Sequence, residues 1–145
     1  MYQTVGQLLQ GKGNVVWSVK PKTTVYEALE LMAAKNIGAV MVVDDSGKLA
    51  GIFSERDYAR KVVLKGRDSR TAKVGELMTR EVVCVNTAET LDNCMTLMTS
   101  KRARHLPVLD GTRLVGLISI GDVVKVIISD REFTIDQLQR YITGV

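Results

Sequence analysis

The chain repeats itself. Laid over its own second half at an offset of 66 positions, Val16-Trp17-Ser18-Val19 falls on Val82-Val83-Cys84-Val85. The same register pairs Thr24 with Thr90, Leu31 with Leu97, Met32 with Met98, Lys35 with Lys101, Val42 with Val108 and Asp44 with Asp110. One residue drops out in the turn after Asp44. At an offset of 65, Leu49 meets Leu114, Gly51 meets Gly116, Ser54 meets Ser119 and Asp57 meets Asp122. A lead-in matches too, Val5-Gly6-Gln7-Leu8-Leu9 over Val74-Gly75-Glu76-Leu77-Met78. A unit of about 60 residues is marginal for folding alone. Duplication of this kind therefore predicts two copies that pack on each other and share a core.

Each copy reads as β-α-β-β-α, an α/β (α+β) unit. Residues 5–10 are expected as a short helical lead-in and 15–19 as a strand. Thr24-Val25-Tyr26-Glu27 has the Ser/Thr-x-x-Glu form that opens a helix. The apolar positions Val25, Ala28, Leu29 and Met32 recur at helical spacing, and the helix should stop near Asn36, before Gly38. Ala39–Val43 is an apolar, β-branched run of strand length. Asp44-Asp45-Ser46-Gly47 is turn chemistry, and 48–53 returns as the second arm of a hairpin. A helix over 54–65 closes the unit. The second copy predicts strand 82–85, helix 90–101, strands 106–109 and 114–119, and helix 121–129. The organisation is 1–66 for the first repeat, 67–73 for a polar linker, 74–130 for the second repeat and 131–145 for a C-terminal helix. In that last helix Phe133, Leu138, Tyr141 and Ile142 share one face, suited to docking on the body or on a partner chain.

Composition excludes several classes. The 145 residues are 46% hydrophobic and 25% charged, ordinary soluble globular usage. The apolar runs fall far short of the ~18–20 residues that cross a bilayer. The start, Met1-Tyr2-Gln3-Thr4, has neither a basic region nor an apolar stretch, so no secretion signal is expected. There is one histidine, His105, which rules out a two-histidine zinc site within one chain. Cys84 and Cys94 form no C-x-x-C pair, and two lone thiols suit a reducing compartment, the cytoplasm. A net charge of +4 favours anionic partners without naming one.

The sharpest repeated string runs Gly, apolar, any residue, Ser, two residues, Asp. It reads Gly51-Ile52-Phe53-Ser54-Glu55-Arg56-Asp57, then Gly116-Leu117-Ile118-Ser119-Ile120-Gly121-Asp122. Two readings stand side by side. Ser-x-x-Asp is a helix cap, with Asp in the first turn. The same corner, a strand feeding a helix, also offers free N–H groups to an anion and a carboxylate to the vicinal hydroxyls of a ribose. The serine would then touch sugar or phosphate, and the glycine would let backbone approach.

With Ile37-Gly38-Ala39-Val40-Met41-Val42-Val43-Asp44 and its counterpart Ala103-Arg104-His105-Leu106-Pro107-Val108-Leu109-Asp110, the chain resembles the tandem cystathionine-β-synthase (CBS) domain pair, or Bateman module, of the stand-alone bacterial type. The resemblance runs from Val5 to about Ser129. It implies two repeats related by a pseudo-twofold axis and packed through their sheets. It implies clefts for adenosine-containing ligands (AMP, ADP, ATP, NAD(H) or S-adenosylmethionine), no metal, and homodimers that form a disc. Carried over by position, Asp57 and Asp122 become ribose binders, and Ser54 and Ser119 sugar or phosphate contacts. Trp17, Ser18 and Val19, with Val83, Cys84 and Val85, would border the adenine pockets. Gly38 and Ala39, with Arg104, His105, Leu106 and Pro107, would offer backbone groups to the base edge.

The copies differ in their cations. The first carries Arg56 inside its string, the second Arg104 before its strand, and both are expected to reach phosphates, for which a guanidinium fork is well shaped. His105 lacks any accompanying nucleophile, so it reads as a binding or structural residue. Cys84 and Cys94 read as inert, since nothing in the sequence lowers their pKa. Gly11-Lys12-Gly13-Asn14 lacks the P-loop spacing and reads as a loop. The function expected is a regulatory, non-catalytic sensor acting on a protein in trans. The alternative is nucleic-acid binding, motivated by Lys61, Lys65, Arg67, Arg70 and Lys73. Against it, basic and acidic residues alternate and few aromatics are present. A nucleotide hydrolase or transferase has no visible nucleophile, metal cluster or paired carboxylates to support it.

Overall fold

A computed structural model of the chain describes residues 3–13 and 15–143. Met1, Tyr2, Asn14, Gly144 and Val145 lie outside the described residues. So do the side chains of Phe133 and Tyr141, two of the four on the expected C-terminal apolar face.

Each copy builds a three-stranded sheet. In the first, β1 (Ser18–Val19) runs parallel to β2 (Ala39–Val43), which pairs antiparallel with β3 (Leu49–Ser54). In the second, β4 (Val85–Asn86), β5 (His105–Asp110) and β6 (Arg113–Ser119) repeat that order and those senses. Both hairpins shift register at equivalent places, Val42/Val43 and Val108/Leu109. The outer strands are shorter than expected. Only two residues of each pair, Ser18–Val19 and Val85–Asn86, and the first strand runs into a turn in which the N–H of Thr23 donates to the carbonyl of Lys20 at 3.0 Å.

Helix α2 (Val25–Lys35) is capped by Thr24, whose hydroxyl accepts from the N–H of Glu27, and ends at Asn36 in the left-handed region (φ 54°). Its counterpart α5 (Leu91–Lys101) is capped by Thr90 and ends at Arg102, also left-handed (φ 52°). Helix α3 begins as Glu55–Asp57 and widens into π-helical turns over Tyr58–Val63. The lead-ins are α1 (Val5–Lys12) and α4 (Val74–Leu77). Helix α1 therefore takes in Gly11 and Lys12, which were expected in a loop, and stops at Gly13 (φ 100°). Helix α6 (Ile120–Thr143) is one unbroken helix of 24 residues where two were expected. No glycine or proline interrupts 130–132, and the Thr134 hydroxyl donates back to the Asp130 carbonyl at 2.9 Å.

The lead-ins cross over. Val5, Leu8 and Leu9 of α1 are buried with Leu91, Leu106, Ile118 and Val123 of the second copy. Val74 and Leu77 of α4 are buried with Val25, Val40 and Phe53 of the first. The backbone repeats the exchange. The N–H of Val5 donates to Glu89 and that of Val74 to Thr23, each at 2.9 Å. In place of one shared core there are two, each built from both copies. Strand β2 is buried on both faces, Val40 and Val42 on one and Ala39 and Met41 on the other, as its continuous apolar run requires.

Candidate functional site

The two Ser-x-x-Asp corners are helix caps. At the first, the N–H of Asp57 donates to Ser54 Oγ (3.2 Å), and Asp57 Oδ2 accepts from the N–H and Oγ of Ser54 (3.0 and 3.1 Å). At the second, the N–H of Asp122 donates to Ser119 Oγ (3.1 Å) and that of Ser119 to Asp122 Oδ2 (2.8 Å). Capping does not exhaust a carboxylate, which has about four acceptor sites. The remaining capacity meets cations and a hydroxyl. Asp57 Oδ1 lies 2.9 Å from Lys61 Nζ and accepts from Thr79 Oγ1 at 3.1 Å. Asp122 Oδ2 lies 2.6 Å from Lys12 Nζ, which also donates to the Leu117 carbonyl at 2.8 Å.

These contacts set the local electrostatics. Burial pushes Asp122 up, but the hydrogen bonds from Lys12 and from the Ser119 backbone outweigh it and hold the carboxyl below its ordinary value. Burial pushes His105 down, and the charges of Lys12 and Arg104 add to that against the opposing pull of Asp122. Burial, helped by the Glu89 carboxylate, pushes the Cys94 thiol up to about 11, and burial also raises Cys84. Neither thiol is activated.

The corners differ because the lead-ins differ. After the short α4 the chain pairs with β3, Thr79 and Ile52 exchanging two backbone bonds (3.0 and 2.8 Å). At Leu117, the position equivalent to Ile52, the longer α1 presents no backbone and the Lys12 ammonium takes its place. Beside the first corner lies a cavity of about 700 Å³, within the range of small-molecule sites. Both copies line it. Ser54, Arg56 and Asp57 come from the first, and Val83, Arg104 and His105 from the second, with Gly38 between. Six cations (Arg56, Arg60, Lys61, Lys101, Arg102 and Arg104) face three carboxylates there, Glu55, Asp57 and Glu81. Arg60, Lys101, Arg102, Lys12 and Thr79 were not singled out by sequence reasoning. The Lys35–Lys101 pairing was the available signal for one; for the others, contact depends on which copy the lead-in meets.

Other expected site residues lie elsewhere. Ala39, Val85, Leu106 and Pro107 are buried in the sheets, and Val19 packs on the first core. Ser18 lines a separate cavity of about 540 Å³ with Val16, Lys48 and Arg113. Trp17 lies under Lys35, whose Nζ is 4.4 Å from the ring centroid. The Gly38 and Arg104 carbonyls accept from the N–H groups of Glu55 (3.0 Å) and Ile120 (2.9 Å), so both serve helix starts. The string's glycines were expected to admit a ligand's approach. In the structure they admit the opposite lead-in: a Cβ on Gly116 would lie 2.9 Å from Leu9 Cδ2, and Gly51 faces Met78 and Thr79. Among the described residues no three His, Cys, Asp or Glu side chains gather as a metal site, and no helix is long and apolar enough to cross a membrane.

A family model for the CBS domain matches residues 13–64 and again 74–129. The chain belongs to the CBS domain family. This tandem CBS pair is similar to the mitochondrial CBS domain-containing protein CBSX3 of Arabidopsis thaliana, 36% identical over 150 residues, 97% of this chain and 72% of that protein. Among solved structures it resembles a CBS-domain protein from Burkholderia ambifaria, with 51% identity, a TM-score of 0.84 and coverage of 88% of this chain and 96% of that one. The CBS domain pair of protein MJ0100, solved in complex with 5′-methylthioadenosine and S-adenosyl-L-methionine, shares the fold at 24% identity and a TM-score of 0.79, over 90% of this chain and 99% of that one.

Proposed function

We propose that this CBS pair is a non-catalytic regulatory module that binds an adenosine-containing ligand, and that its first cleft takes a phosphorylated one: AMP, ADP, ATP or NAD(H). One observation carries the reading: Asp57 and two arginines from opposite copies, Arg56 and Arg104, line a single cation-rich cavity. A ribose diol can donate to Asp57 as Lys61 gives way, and a phosphate then falls to the arginine forks. The excess of positive charge favours phosphates over the sulfonium of S-adenosylmethionine, although the same fold holds that ligand in MJ0100.

Binding becomes a signal because Arg56 and Arg104 belong to different copies. A phosphate held by both favours arrangements in which the copies are drawn together, and such differential affinity is what shifts a conformational equilibrium. The output passes to a protein partner in trans. The exposed residues Ile120, Val124, Ile128, Ile135, Leu138 and Ile142 of α6 fall within an arc of about 80° at helical spacing, a stripe suited to a second copy of this chain in a homodimer. Two free, unactivated thiols agree with a reducing, cytoplasmic setting. Nucleic-acid binding draws less support, since Lys61, Arg67 and Arg70 are engaged by Asp57, Glu76 and the Tyr26 ring.

The test is calorimetry with ATP, AMP, NAD and adenosine. Arg104→Ala should weaken the phosphorylated ligands on the order of tenfold, the size of one charge-assisted hydrogen bond, and spare adenosine. Asp57→Asn should weaken all four. Absence of binding by every adenylate to the unmodified protein would end the reading.

A further inference from the structure

We propose that Lys12 sets the ligand specificity of the second corner: it holds Asp122 until a phosphate takes its ammonium, so the corner accepts phosphorylated adenosine ligands over unphosphorylated or cationic ones. The inference rests on reading Asp122, like Asp57, as a carboxylate for a ribose diol.

Three features carry it. Lys12 Nζ sits 2.6 Å from Asp122 and 2.8 Å from the Leu117 carbonyl, so it fills the corner that at the first site opens beside a cavity. Its stem is anchored, because α1 is held by Leu8 and Leu9 in the second core, while its head remains partly exposed. And the cation reaches this corner from the lead-in α1, whereas in the other copy the lysine that bridges Asp57 and a backbone carbonyl, Lys61, belongs to the corner's own helix and is joined by Thr79.

The consequence follows from charge. A diol that takes Asp122 strips Lys12 of a charge-assisted bond. Neutral adenosine returns nothing for that loss, and a sulfonium adds repulsion. A 5′-phosphate lies one sugar's width from the diol, within the sweep of a four-carbon stem, and receives the displaced ammonium. Lys12 thus penalises the nucleoside and spares the nucleotide.

Trp17 supplies the readout. It is the chain's sole tryptophan, and by the register of the repeat it occupies the position that Val83 holds in the lining of the first cleft. AMP and adenosine are titrated against the unmodified protein, Lys12→Met and Lys12→Arg, following Trp17 fluorescence, with calorimetry in parallel to read total binding. The expected result is a preference for AMP that collapses on the order of tenfold in Lys12→Met, with adenosine binding tighter than before, and survives in Lys12→Arg. An AMP-to-adenosine ratio unchanged in Lys12→Met would make the residue a brace alone. Calorimetric binding with Trp17 silent in all three proteins would overturn the proposal and leave the first cleft standing. Absence of binding by both methods would remove the underlying reading as well.

Discussion

The carbonyl oxygen of Thr79 lies 2.6 Å from the point where a side chain on Gly51 would begin. The glycine that opens the repeated string is thus held by the other copy's lead-in, which pairs with β3 through Thr79 and Ile52.

Gly51→Ala should therefore lower stability by about 1–3 kcal/mol, the usual cost of overpacking, because the obstacle is backbone. Gly116→Ala meets only the tip of Leu9 and should cost less. Urea midpoints of the two variants measure the difference. Equal losses would contradict the packing described here.

Arg102 ends α5 in a left-handed conformation that its counterpart Asn36 adopts more readily. Arg102→Asn should raise stability by up to about 1 kcal/mol. Because Arg102 also lines the cation-rich cavity, the same change should weaken phosphorylated ligands. Thermal melts with and without ATP read both effects.

Three groups, Asp44, Asp122 and His105, sit below their ordinary values, and only His105 acts near neutral pH. His105 has a folded pKa below its ordinary 6.5, so the unfolded chain binds the proton first. Its contribution is complete above about pH 6.5 and is lost as pH falls through the folded value. Asp122 acts in the same direction below its ordinary 3.8. His105→Gln should flatten the melting temperature between pH 7 and 5, and a slope unaltered by that change would refute the assignment.

The proposed dimer should fall to monomer when glutamates replace Ile128 and Leu138, as read by light scattering, since both lie on the exposed stripe of α6; an assembly state unmoved by the two changes would refute it. The cavity lined by Arg102 contains neither of these residues and should keep its ligand preference.

Local order was legible in the residues. The duplication located both sheets and both hairpins, Thr24 and Thr90 cap the helices they precede, and Asn36 ends the first of them. These features depend on contacts within a few positions, on caps and on the period of apolar side chains. The capping reading of Ser54 and Ser119 was equally open to inspection, as was Lys61 one helical turn after Asp57; the approach of Lys12 to Asp122 was not.

The sequence by itself determined that two like units exist, what elements each contains, and where each carboxylate sits at a strand-to-helix corner. Only the tertiary structure decided that α1 crosses to the second copy, that there are two mixed cores, that Lys12 meets Asp122, and that Arg56 and Arg104 face one cavity. The physical reason is that the apolar face of a lead-in such as Val5, Leu8 and Leu9 is as suited to one repeat as to its twin. The choice is made by burial among residues far along the chain, from Val85 to Val123, which no local pattern encodes.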